Sequence, residues 1–180
     1  MKLIEAITKI DHLKHNTFGK EEKIAWLSTL DGMVKRQIID THEGADAEKA
    51  IAAYIRNNRK FYEASVIEYM KLHEVSREEA EKNVAFREIK YKEAKEHIAA
   101  TRNDIFFTGY DADTPGDTEL LVPAPYDELY LWWLSAQIDY HNAELAKYNN
   151  SIALFNTGYS VYAELYNREH MPLGAKSNFF

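Results

Sequence analysis

The residues best spaced for chemistry lie in the segment DADTPGDTE, where Asp111, Asp113, Gly116, Asp117 and Glu119 fall on positions 1, 3, 6, 7 and 9 of a calcium-binding loop. Position 5 is Pro115 and position 12 is Val122, so two oxygen ligands are missing, one of them the bidentate acid that closes such a site. The plainer expectation is a turn held by aspartate side chains. Carboxylate metal centres in helical bundles need Glu-x-x-His pairs. None of the seven histidines has a glutamate three residues before it, and neither His42-Glu43 nor His73-Glu74 completes HExxH. Walker, GxGxxG and GxSxG patterns are absent. Asn149-Asn150-Ser151 matches a glycosylation sequon, with no secretory signal before it. His141 beside Asp139 remains the best pair for an enzyme site in a bundle core, and a buried, hydrogen-bonded histidine or a break in the helix is the plainer reading of it. The sequence therefore predicts no catalytic residue, no metal and no cofactor.

The element that would carry His141 is the most legible in the chain. Stepping by threes and fours from Leu131 gives Leu134, Ile138, His141, Leu145, Tyr148, Ile152, Phe155, Tyr159, Tyr162 and Tyr166, a stripe that only a helical period returns to one face. Pro125 reads as the first helical position, with Asp127 and Glu128 near the positive dipole end; Arg168, His170, Pro172 and Gly174 mark the stop. Asn142, Asn149-Asn150 and Gly158 are candidate breaks between one rod and two helices.

Upstream, residues 2–14 predict a short helix on Leu3, Ile7, Ile10 and Leu13, and Lys20 to Ile39 a second on Ile24, Leu27, Leu30, Val34 and Ile38. Asp31-Gly32 inside the second predicts an irregularity or a close approach to a neighbour. Residues 45–104 are charge-rich, with Ser76 and Glu79 as a capping box. They predict a projecting αα-hairpin in which Ile51, Ile55, Tyr62, Val66 and Tyr69 face Ala80, Val84, Tyr91 and Ile98. Ile105–Phe107 and Glu119–Val122 predict two short extended segments or a β-hairpin. The fold class is all-α: a helical bundle from 1–44 and 105–180, with 45–104 inserted.

Composition narrows the function. With 46% hydrophobic and 28% charged residues in 180, the chain is a globular protein. Its longest notable apolar run, Leu129 to Leu134, is too short to span a membrane, and MKLIEAITKIDHLK interleaves charges where a signal peptide is apolar. Cysteine is absent, so disulfides and thiolate metal sites are excluded. The net charge of −7 comes entirely from residues 105–180, where ten acids face Lys147, Arg168 and Lys176. That sign repels phosphate and argues against a dedicated nucleic-acid binder. The same region holds 15 of the 23 aromatic residues, a surplus suited to an interface.

The segments EEKIAWLSTLDGMVKRQIIDTHEG (21–44) and 107–172, with THEG, GYD, DTELLVPAPYDE, KYNN and HMP, resemble a family of small virion proteins from tailed phages and prophages of Gram-positive bacteria. The resemblance implies a head-tail connector, or adaptor, of the virion neck, assembled in the host cytoplasm. It implies a twelve-subunit ring of this chain beneath the portal protein, with the next neck or tail ring below and DNA passing through unbound. Tyr126, Tyr130, Trp132, Trp133, Tyr140, Met171, Pro172, Phe179 and Phe180 are then the interface candidates, with the tail LGAKSNFF docking on a neighbouring ring. The chain departs from the family pattern at 45–104, where relatives pass almost directly from THEG to GYD. Rival readings are another tail or capsid accessory protein, or a helical scaffold that grips a partner through the 45–104 hairpin.

Overall fold

The computed structural model describes residues 1–42, 44–170 and 172–173, with the backbone alone for Asn103. Among them are eight α-helices, one 3-10 turn at Ile39–Thr41 and no strand, so the fold is all-α. Met171, Phe179 and Phe180 lie outside the described residues. Contacts divide the chain into two compact units, Met1–Glu43 with Phe107–Phe180, and Gly44–Phe106. No helix among the described residues is long and apolar enough to cross a membrane.

The first unit is built from α1 (Leu3–Leu13), α2 (Lys20–Gln37), α7 (Leu129–His141) and α8 (Leu145–Glu169). In α1 the buried set Leu3, Ala6, Ile7 and Ile10 follows the helical period. Leu13, predicted for that face, is instead 70% exposed at the helix end. In α2 the Gly19 N–H donates to Glu22 Oε2 at 2.7 Å, which satisfies one of the unpaired amides of a helix start. α7 is the central helix and packs against α1, α2 and α8. Its buried residues, Leu129, Tyr130, Leu134, Ala136, Ile138 and Asp139, are spread around the axis because neighbours lie on several sides.

One expectation about this helical pair is corrected, and one open question is answered. Helix α7 starts at Leu129 rather than Pro125, which follows Ala124 through a cis peptide bond. Of the candidate breaks, Asn142 is the one at which the stripe divides into two helices: the chain reverses at 142–144, and α7 packs against α8. Ala143 adopts φ 59° there. Its N–H donates to Tyr140 O at 3.0 Å and the Glu144 N–H to Asp139 O at 2.9 Å, the paired bonds of a Schellman stop.

Between the halves of this unit runs 107–128, which is without regular structure apart from turns. The predicted β-hairpin does not form. Ile105 and Phe106 belong to the short helix α6 (Asn103–Phe106), and Glu119 makes a single antiparallel bridge to Lys2. The loop feeds the start of α1 instead, because Gly116 O and Thr118 O accept from Ile4 N and Leu3 N, both at 2.9 Å.

The second unit consists of α3 (Ala47–His73), α4 (Arg77–Asn83), α5 (Tyr91–Thr101) and α6. Asp46 caps α3 through the Lys49 N–H at 3.1 Å, and Ser76 caps α4 through the Glu79 N–H at 3.3 Å. α3 packs against α4 and α5, and a small core joins Ile51, Ala94, Ile98 and Ile105. The return arm is interrupted at residues 84–90, where Val84 is extended and Phe86 leans on Tyr62 at 4.4 Å. Tyr91, predicted to face α3's apolar stripe, is 49% exposed and donates to Glu48 Oε1 at 2.6 Å.

Candidate interaction surface

The polar residue that organises the first unit is Asp31, and no motif had singled it out. It is fully buried on α2. Tyr130 Oη donates to its Oδ1 at 2.5 Å, Tyr110 Oη to its Oδ2 at 2.6 Å, and the Leu121 N–H to Oδ2 at 3.1 Å. Tyr130 Oη in turn accepts from the Val122 N–H at 2.8 Å, and Ser28 Oγ accepts from the Tyr110 N–H at 2.8 Å. One carboxylate thus ties α2, α7 and the 107–128 segment together and pairs groups that would otherwise be orphaned in the core. Burial pushes the Asp31 carboxyl up to about 6 against the pull of its three donors. Burial and the adjacent carboxylate push both tyrosines above their ordinary range, so they remain donors. The sequence carried a signal: Ile24, Leu27, Asp31, Val34 and Ile38 step by threes and fours, which places an acid on a core stripe. Helix α2 runs unbroken through Gly32, so the irregularity expected there does not appear, and nothing lies within 4 Å of a Cβ built on it.

The pair proposed for chemistry is separated by environment. Asp139 is fully buried, its Oδ1 ion-paired with Lys14 and its Oδ2 accepting from Ser151 Oγ at 3.0 Å. His141 is exposed at the end of α7, its ring stacked on Trp26 at 5.3 Å. His141 is therefore not buried; it marks a break between helices, the other plain reading of it, since α7 ends there while Ile138 and Asp139 in the same turn stay in the core. Asp111 Oδ1 accepts from Thr114 Oγ1 at 2.9 Å and from the Asp113 N–H at 3.1 Å, the expected aspartate turn. No cluster of three metal-type ligands occurs among the described residues.

The interface candidates divide in the same way. Tyr130 is buried in the Asp31 network and is not available to a partner, which corrects that assignment. Trp133 is half-buried, its Nε1 donating to Trp26 O at 2.8 Å and its ring 5.0 Å from Phe155. Tyr126 and Trp132 are half-buried, and Tyr140 is 58% exposed at the end of α7 with Leu145 beyond it at 64%. Pro172 is exposed and bridges His42, whose ring nitrogens lie 2.6 Å from Ile38 O and 2.7 Å from Asn167 Oδ1.

Tyr126 and Trp132 share a surface groove of about 230 Å³ with Pro125, Leu154, Gly158 and Val161. Its floor exists because residue 158 has no side chain: a Cβ there would sit 2.4 Å from Trp132 Cζ3. Leu154 and Val161 are 53% and 45% exposed, so this apolar groove is open. Sequence reasoning named Tyr126 and Trp132 but not Leu154 or Val161, which fall off the core stripe of α8.

No protein-family model, curated protein or solved structure matches the chain.

Proposed function

We propose that this chain is a virion structural subunit, a head-tail connector that works by contact with protein neighbours rather than by catalysis. The carrying observation is that the segments bearing the resemblance fold on one another. Tyr110 of GYD and Leu121 of DTELLVPAPYDE bond Asp31, while His42 of THEG meets Asn167 and Pro172 of HMP. These residues brace a helical pair, and two apolar patches stay open on its otherwise largely polar surface: the Trp132 groove and the Tyr140–Leu145 tip. Apolar and aromatic surface of this kind is favoured at protein interfaces. The acidic bias of residues 105–180 suits a subunit past which DNA slides without adhering. Purified chain mixed with the portal protein of the same particle is expected to co-elute as a large ring complex, and the chain should localise to the neck in images of the particle. Absence from the particle would defeat the proposal.

One observation favours the scaffold reading in its place. Phe61 and Leu72 are 76% and 75% exposed, and eleven residues of helix return them to nearly the same side of α3. A partner captured by the 45–104 unit and lost on Phe61→Ser would support it.

A further inference from the structure

The return arm of the second unit leaves a run of main chain without partners. Residues 85–90 form neither helix nor turn, and the backbone is extended at both borders, with ψ 114° at Val84 and 152° at Lys90. Among the described residues, the N–H groups of Ala85 to Ile89 meet no acceptor, and of their carbonyls only Arg87 O is taken, by Asn58 Nδ2 at 3.1 Å. Unpaired main chain of this kind is a template for an extended peptide. Beside it lies a cavity of about 240 Å³, to which Tyr62, Phe86 and Ile89 give apolar surface and Arg59, Glu63 and Glu88 give charge. Arg77 Nη2 donates to Glu63 Oε2 at 2.6 Å, whereas Arg59 and Glu88 have no ion partner among the described residues. We propose that the second unit binds an extended, acidic peptide segment of a partner protein along residues 85–89, with one apolar side chain in the Tyr62–Phe86 cavity and a neighbouring carboxylate on Arg59.

The break in the return arm is what makes the site. A helix continued through 84–90 pairs the same N–H and C=O groups in its own ladder, and the extended path leaves them outward. The acidic character follows from charge. Helix α3 carries Arg56, Arg59 and Lys60 with no acid between Glu48 and Glu63, so the side of the cavity built by α3 favours a carboxylate. The apolar character follows from size, since the cavity is smaller than the roughly 300–1,000 Å³ of small-molecule sites and suits one large side chain. A single-stranded nucleic acid would also use cations and rings. Glu63 and Glu88 on the lining repel phosphate, however, and a row of amide donors and acceptors matches a peptide backbone rather than a phosphate chain that only accepts. The inference goes beyond the connector reading, and it names the kind of partner that the scaffold reading leaves open.

Panning a library of random linear peptides on the purified full-length chain tests it. Selected peptides are expected to carry an aromatic or branched aliphatic residue next to Asp or Glu. A synthetic copy of one should slow hydrogen exchange at the amides of 85–89, which exchange freely in the chain alone. Arg59→Glu, at an exposed position, should weaken that peptide about tenfold or more, and Phe86→Ser, at a residue 44% exposed, should do the same. Circular dichroism confirms that each variant is folded. Four results would each overturn the proposal: no peptide enriched over the bare support, selected peptides that bind Arg59→Glu as tightly, protection confined to amides outside 45–104, or oligothymidylate protecting the same amides and displacing the peptide. Presence of the chain in the particle is read separately, so the two proposals fail independently.

Discussion

Replacing Asp31 by Asn separates the two forces acting on this buried carboxyl. Three donors favour its charged form, while full burial favours the neutral one. Burial prevails, setting the folded value at about 6 against 3.8 for the ordinary group. A carboxyl that holds its proton more tightly when folded stabilises the fold most below about pH 4. That contribution declines as pH climbs to about 6 and is then flat, a change of about 3 kcal/mol for a difference of about two pH units. Asn has no proton to exchange, so urea unfolding followed by circular dichroism should show the wild-type advantage over Asp31→Asn shrinking by about that amount between pH 4 and pH 7. At pH 7 the wild type should remain ahead by roughly 1–3 kcal/mol, because the amide offers a single acceptor oxygen to three donors. A difference that stays constant with pH, or grows as pH rises, would refute the reasoning, the latter meaning that the donors outweigh burial.

Three further substitutions test the packing around that centre. Gly158→Ala should destabilise by about 1–3 kcal/mol, since its Cβ would come 2.4 Å from Trp132 Cζ3; a lowered melting temperature with altered tryptophan emission would report it. Ala143→Gly should raise stability by about 1 kcal/mol in chemical denaturation, because φ 59° strains a residue with a Cβ and not glycine. Lys14→Met should cost about 3–5 kcal/mol by leaving the fully buried Asp139 without its cation; recovery on adding Asp139→Asn, measured as a double-mutant cycle, identifies the ion pair as the cause.

The second unit shows how far local pattern reaches. Ser76 caps its helix as the spacing requires, since a cap depends only on residues within one turn. The return arm breaks after Asn83 even though its apolar spacing suggested one continuous helix. Val84, Phe86 and Ile89 are weak helix formers, and Asn58 Nδ2 donates to Arg87 O at 3.1 Å to hold the extended stretch.

For the first unit, sequence alone determined the helical class, the ends of α2 to within a residue or two, and the acidic, ring-rich character of the last 76 residues, because periodicity, capping and composition are local properties. It did not determine which rings are spent inside. Tyr130 and Tyr140 look alike in the chain, yet one is sealed against Asp31 and the other stands in solvent. That division was made by tertiary structure: α7 meets neighbours on several sides, so burial along it follows where α1, α2 and α8 lie and no longer the period of the helix itself.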